Sequence, residues 1–202
     1  MEANILIIAC LLIAIVLFFE FSNGFNDCAN LVVTPVITGA LDPRKALLIM
    51  AVFEFIGAWF LGTAVAQTLA KGIVNPQNIT LSAIFAALFA AILWNLGGWY
   101  FGMPSSSSHA LIGGLLGAVG LGSGPQWIHW GKVWEVLAIL IISPIVGLIL
   151  GHYLTKQVLA LFENFKPNQA NRLFKRLQIL TSITLALSHG SNDAQKGMGI
   201  IS

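Results

Sequence analysis

The chain has 202 residues, of which 57% are hydrophobic and 9% charged, and a formal net charge of +2. Soluble domains run about 45–50% apolar and about 25% charged, and even a domain of roughly 150–300 residues leaves a quarter to a third of its surface in solvent, so a water-soluble globule is excluded. So small a net charge also excludes nucleic acid as a partner, and the lipid bilayer is the solvent this composition suits.

Apolar windows with the character of spans fall at 4–22, 45–70, 79–101, 110–123, 132–154 and 177–189. The first has no basic residues before it and no small-residue cleavage site before Phe19, so it reads as a retained span rather than a signal peptide. The polar stretch Ser22–Asn30 interrupts the apolar pattern directly after it, and apolar character resumes over Leu31–Leu41. Asp42 with Pro43, Asn75 with Pro76 and Gly124 with Pro125 mark turns, which keeps most connections short. Windows 110–123 and 177–189 are too short to cross, and each adjoins a polar, glycine-bearing stretch, Pro104–His109 and Ser188–Lys196. Helices broken in this way point to a binding site at mid-membrane depth. The one long polar connection, Thr155–Arg176, holds five of the ten Lys and Arg residues, Lys156, Lys166, Arg172, Lys175 and Arg176, and is cytoplasmic by the positive-inside rule. Cys10 and Cys28 lie in or beside apolar runs and read as packing residues.

A short internal repeat stands out. Gly24-Phe25-Asn26-Asp27 and Gly190-Ser191-Asn192-Asp193 share the pattern Gly-x-Asn-Asp, and each follows an apolar segment. The pattern predicts an all-α, polytopic transmembrane protein with discontinuous helices and a re-entrant hairpin near 102–123. Its organisation is a first repeat over 1–154, a cytoplasmic basic loop over 155–176 and the start of a second repeat over 177–202. Repeats that meet at mid-membrane are a common plan of secondary transporters.

Glu20, Asp27, Glu54 and Asp193 are four of the eight acidic residues, and all sit inside or at the break of apolar segments. A carboxylate at a helix centre costs about 2.5–3.5 kcal/mol, so four cost on the order of 10 kcal/mol, comparable with the stability of a domain. They must be paired, hydrated or bound to cations. The repeated setting marks Asp27 and Asp193 as functional, whereas Glu20 near a span end fits a hydrogen bond to a neighbouring helix; Glu54, between Phe53 and Phe55, stays open between the two. Gly24 and Gly190 predict local unwinding. Carbonyls freed there, with the oxygens of Asn26, Asp27, Asn192 and Asp193, form an all-oxygen cluster that suits a hard cation, sodium or a proton, and not zinc or copper. Helix capping by the two asparagines is compatible with that role.

Gly102–His109 reads as a helix start, with Pro104 and the run Ser105, Ser106, Ser107, Ser108 before a short helix from Ala110. Unpaired backbone N–H groups, hydroxyls and the positive end of the helix dipole converge there on an anion. An anion beside Asp27 and Asp193 is repelled unless cations or protons accompany it, which is the physical basis of symport. Lys196, three residues past Asp193, is a candidate fixed counter-ion on the same helical face, with Gln195 beside it as a further accessory residue. His109 and His189 flank the two polar breaks. A competing reading is an intramembrane serine hydrolase built on Ser108 and His109, but neighbours on a helix point about 100° apart and pair poorly as nucleophile and base. A non-transporting membrane scaffold is the third.

Three motifs, GFNDCAN at 24–30, GMPSSSSHALIGG at 102–114 and SHGSNDAQKGMGI at 188–200, resemble in this order the signatures of the PiT (Pho4-like) inorganic phosphate transporters, cation-coupled symporters. The resemblance covers essentially the whole chain. It implies an inverted-repeat helical protein of the cell membrane, often dimeric in the family, with a homodimer as the open option here, not an enzyme, that carries inorganic phosphate, free or complexed with a metal. It implies Ser105, Ser106 and Ser107 as phosphate ligands, Asn26, Asp27, Asn192 and Asp193 as the cation and substrate centre, and a functional Glu54. No cofactor is implied beyond the coupling ion, which stays open between sodium and a proton. Family members continue past their second Asn-Asp element into further spans and a second serine or threonine hairpin, so a chain that stops at Ser202 is expected to hold a truncated second repeat.

Overall fold

In hydrocarbon every peptide group must be bonded within its own segment, and runs of Leu, Ile, Ala and Phe achieve this as helices. The computed structural model describes residues 2–60, 72–74 and 79–201. Among the described residues there are six α-helices: α1 (Glu2–Ile37), α2 (Pro43–Phe60), α3 (Leu81–Tyr100), α4 (Ser107–Gly122), α5 (Trp130–Phe162) and α6 (Pro167–Ile201). The second half of window 45–70 and the Asn75-Pro76 turn lie outside the described residues.

Two expectations are corrected. The polar stretches at 22–30 and 188–196 do not interrupt their helices: α1 runs unbroken for 36 residues and α6 for 35. The physical reason is one of magnitude. A glycine inside a helix costs about 1 kcal/mol, whereas stripping a peptide group of its hydrogen bond in an apolar medium costs several. Asn26 adds local support by donating from Nδ2 to the Ser22 carbonyl one turn back, at 2.9 Å. Window 177–189 is therefore part of a helix about 52 Å long at 1.5 Å per residue, though α6 is not among the helices long and apolar enough to cross a membrane. The second correction concerns 155–176, most of which is helical; α5 continues to Phe162 and α6 starts at Pro167, leaving 163–166 between them.

Short turns fold these rods together. Gly39, at φ +65°, ends the turn after α1, and the Asp42 carboxylate accepts a 3.1 Å bond from the Arg44 amide as Pro43 opens α2. Thr80 caps α3 by accepting from the Ala83 amide. The hairpin expected near 102–123 takes in more of the chain: the turn 101–106 and α4 fold back on α3, which begins at Leu81. Its second arm has 16 residues, about 24 Å, less than the roughly 30 Å of a hydrocarbon core. A Cβ on Gly114 would come within 2.6 Å of the Ala87 carbonyl, so the two arms pack backbone to backbone.

Helix α2 packs on α6, α3 packs on α4, and α1 touches both pairs. Val16 and Phe19 of α1 bury with Leu88, Ala91 and Ile92 of α3 and Leu111 of α4, while Leu31 buries with Met50 of α2 and Ala186 of α6. The α2–α6 contact depends on two glycines. A Cβ on Gly57 would overlap the Leu187 carbonyl, and a Cβ on Gly190 would overlap the Glu54 carbonyl. Gly190 thus serves close helix approach rather than unwinding. Helix α5 stands largely outside this packing, with Val133 its one buried residue.

The accessible surface is 13274 Å², against about 9,200 Å² for a soluble monomer of the same mass. Large apolar side chains fill the excess, among them Phe21, Trp59, Trp94, Leu121 and Leu148. Ala3–Ile37, Leu81–Tyr100 and Trp130–Phe162 are long and apolar enough to cross a membrane.

Gly190→Val is expected to part α2 from α6 and to destabilise the protein by about 1–3 kcal/mol. Gly24→Val, whose Cβ meets nothing within 4 Å, is expected to be nearly neutral. Thermal unfolding of both variants in the same detergent checks the contrast.

Candidate functional site

The two Asn-Asp elements lie on neighbouring helices, and the side chains between them form a continuous polar chain. The His189 imidazole of α6 sits at its centre. Its Nδ1 is 2.8 Å from Glu54 Oε1 on α2, and its Nε2 is 3.6 Å from Asp27 Oδ2 on α1 and 3.4 Å from Asp193 Oδ2 one turn further along α6. The first is hydrogen-bond length; the other two are longer and act through charge. Ligand atoms of Asp27, His189 and Asp193 all lie within 4.8 Å of one another. Two carboxylates at that distance repel by about 3.5 kcal/mol at an effective dielectric of 20. The cluster therefore needs positive charge to persist.

Part of that charge comes from α6 itself. Lys196 Nζ is 2.6 Å from Asp193 Oδ1, and the residue is 6% exposed. The same ammonium donates at 2.8 Å to Ser107 Oγ, the first residue of α4. One lysine thus ties the second Asn-Asp element to the helix start of the hairpin. Asn23 of α1, 2% exposed, donates from Nδ2 to Asp193 Oδ2 at 2.7 Å. Asn95 of α3 joins behind it, accepting from Asn26 Nδ2 through its backbone carbonyl at 3.2 Å and donating to Ser22 Oγ at 3.4 Å.

Among the residues singled out from sequence, Asp27, Asp193, Glu54, Lys196 and Ser107 converge. Others do not. Asn192 lies exposed on α6, and Asn26 turns back to its own helix and to α3. The three serines diverge: Ser105 packs against Gly98 with Oγ buried, Ser106 caps α4 by accepting from the His109 amide at 3.5 Å, and Ser107 faces Lys196. Gln195 is buried on α6, and Ser108 is half-buried beside an exposed His109.

Two residues of the cluster carried no motif. Asn23 lies four positions before Asp27, on the same face of α1, and Asn95 is a lone amide in an otherwise apolar helix. Helical spacing from Asp27 was the signal for the first. The second shows only as a polar residue where lipid composition disfavours one.

The fold and cluster define a class: a polytopic helical membrane protein with ionisable groups held between its helices beside a helix N-terminus. A sequence profile of the phosphate transporter family matches residues 23–166. The chain belongs to that family, whose members are transporters and not enzymes, and the hydrolase reading of Ser108 and His109 falls with this. Similar proteins include a probable low-affinity inorganic phosphate transporter of Bacillus subtilis, 43% identical over 98% of this chain and 60% of its own length. Another so described, from Streptomyces halstedii, is 43% identical over 92% of this chain and 87% of its own. The low-affinity inorganic phosphate transporter PitA of Escherichia coli is 35% identical over 95% of this chain and 44% of its own. The chain thus spans 60% or less of the Bacillus and Escherichia relatives. A solved structure described as the sodium-dependent phosphate transporter superposes with a TM-score of 0.85 at 26% identity, over 98% of this chain and 66% of that one.

Asn23→Leu removes the donor to Asp193 and is expected to lower stability by about 1–3 kcal/mol. Asn192→Leu, on the exposed face, is expected to change it by less than about 0.5 kcal/mol. Melting temperatures of the two variants in one detergent test this.

Proposed function

We propose that the protein carries inorganic phosphate across the cell membrane by symport with a small cation, sodium or a proton. The observation that carries the reading is the juxtaposition of Ser107, at the first turn of α4, with the Asp27–His189–Asp193 cluster through Lys196. Backbone N–H groups of a helix's first turn have no partners within the helix, and the dipole there favours an anion. Ser106 satisfies the His109 amide, and the earlier amides of the turn are left to a ligand. Ser105, Ser106 and Ser107 frame that end of α4, with Ser107 nearest the cluster. In this reading 155–176 faces the cytoplasm.

The oxygens at hand fit a hard cation. Asn23 Oδ1 is buried without a hydrogen-bond partner among the described residues, on the same side chain that donates to Asp193. With the carboxylates of Asp27 and Asp193 it supplies oxygen ligands of the kind that sodium takes. Asn26 and Asn192 adjoin the two aspartates in sequence, but Asn192 is exposed on α6 and Asn26 is bonded to the Ser22 and Asn95 carbonyls, so the ligand role rests on Asn23 and the carboxylates. A phosphate at the start of α4 adds negative charge to a cluster that already holds Asp27, Glu54 and Asp193. Each unit charge about 5 Å away contributes repulsion of about 3 kcal/mol at an effective dielectric of 20. A cation bound between them cancels terms of that size, so cargo and co-ion bind together and move together.

Uptake of labelled phosphate into proteoliposomes holding the protein expressed from its intact gene is the test, with sodium and proton gradients imposed separately. Uptake is expected to require one of the two gradients, and Asp27→Asn is expected to lower it by at least about tenfold, or about 1.4 kcal/mol, which is less than half of one such charge interaction. Undiminished uptake by Asp27→Asn refutes the assigned role.

A further inference from the structure

Lys196 has a place in the site that neither a coupling cation nor a packing residue accounts for. It is on the cargo side of the cluster, buried, and bonded at once to the carboxylate of the second Asn-Asp element and to the first hydroxyl of the anion-facing helix. An ammonium carries three N–H donors. Asp193 Oδ1 and Ser107 Oγ take two of them, and among the described residues no acceptor takes the third. Ser107 Oγ accepts from the lysine, so its own proton is free to point toward an anion, and accepting a charged donor polarises that O–H further.

From this the geometry points to Lys196 as a tethered cation of the phosphate site: it takes the place of one mobile coupling cation at Asp193 and presents that charge to phosphate through Ser107. The inference rests on the phosphate reading above and deepens it. A mobile cation that neutralises a carboxylate crosses with the cargo. The lysine does not, because it is held on α6 three residues from the carboxylate it neutralises, on one helical face. A site with a resident positive charge reaches a given electrostatic balance with one mobile cation fewer. The number of cations coupled to each phosphate is then set in part by position 196. Lysine suits the role better than arginine would for shape, being a compact point charge on a flexible stem, so the ammonium can follow the anion while staying near Asp193.

The test is equilibrium binding of labelled inorganic phosphate to purified protein expressed from its intact gene, as a function of cation concentration, with choline replacing sodium in one series and pH as the variable in a second. Lys196→Met is expected to bind phosphate with a cation dependence steeper by about one ion and to need about tenfold more cation for half-saturation. At saturating cation its affinity returns to within about threefold of the unmodified protein, and Lys196→Arg keeps the original cation order. An unchanged cation order in Lys196→Met overturns the inference, and so does a loss of binding that no cation concentration restores. Failure of the unmodified protein to bind phosphate under any of these conditions refutes the phosphate reading itself, and is distinguishable from both because it needs no variant.

Discussion

Compensation of half-buried negative charge is the constraint on which the rest of this structure depends. Three carboxylates from three helices meet in a protein with few polar residues to spare, and the two aspartates repel at the distance observed. Each has a specific partner. Glu54 and the two aspartates share His189, Asp193 also takes Lys196 and Asn23, and Asn30 donates to Asp27 at 3.4 Å. Remove these contacts and α1, α2 and α6 lose the polar reason for sharing one register, since apolar packing alone drives little association among helices in lipid.

The cluster in turn requires that α2 and α6 approach closely, and the glycines at 57 and 190 permit it. The Glu54 carbonyl lies against Gly190, so the Glu54 side chain and the His189 ring, one residue from that contact, are brought together by the same backbone approach. Gly190 within the repeated Gly-x-Asn-Asp pattern therefore works one step removed from the chemistry. Gly24, its counterpart, meets nothing within 4 Å. The two halves of the repeat are alike in sequence and unlike in packing.

Much of the fold was legible because hydrophobic length is read by the membrane itself. The windows at 4–22, 132–154 and 177–189 fall within helices, those at 79–101 and 110–123 overlap α3 and α4 and run slightly past their ends, and the helix start of α4 follows from Pro104 and the serines. What misled was the reading of polarity as a break. Asn, Asp and Gly are poor helix formers in water, where an unwound peptide is solvated at no great cost; between helices the same residues find partners across the interface and the ladder continues. Site residues were legible in proportion to their charge. Asp27, Asp193, Glu54 and Lys196 stand out in an apolar chain, whereas the neutral Asn23 and Asn95 have roles set by what lies across the interface, which spacing along one helix does not specify.

The serine run shows the same limit from the other side. Four consecutive serines suggest a shared task, yet a helix start gives each residue a different direction: Ser105 turns inward against Gly98, Ser106 becomes the cap, and only Ser107 enters the first turn on the side of Lys196. The turn's geometry thus divides identical side chains into a packing residue, a backbone cap and a hydroxyl aimed at the charged cluster. That division links the two halves of the site, because the residue that begins the anion-favouring helix is also the acceptor for the lysine that neutralises the cation-favouring carboxylate. A displacement of α4 relative to α6 stretches this one bond, and with it changes the charge felt at both places.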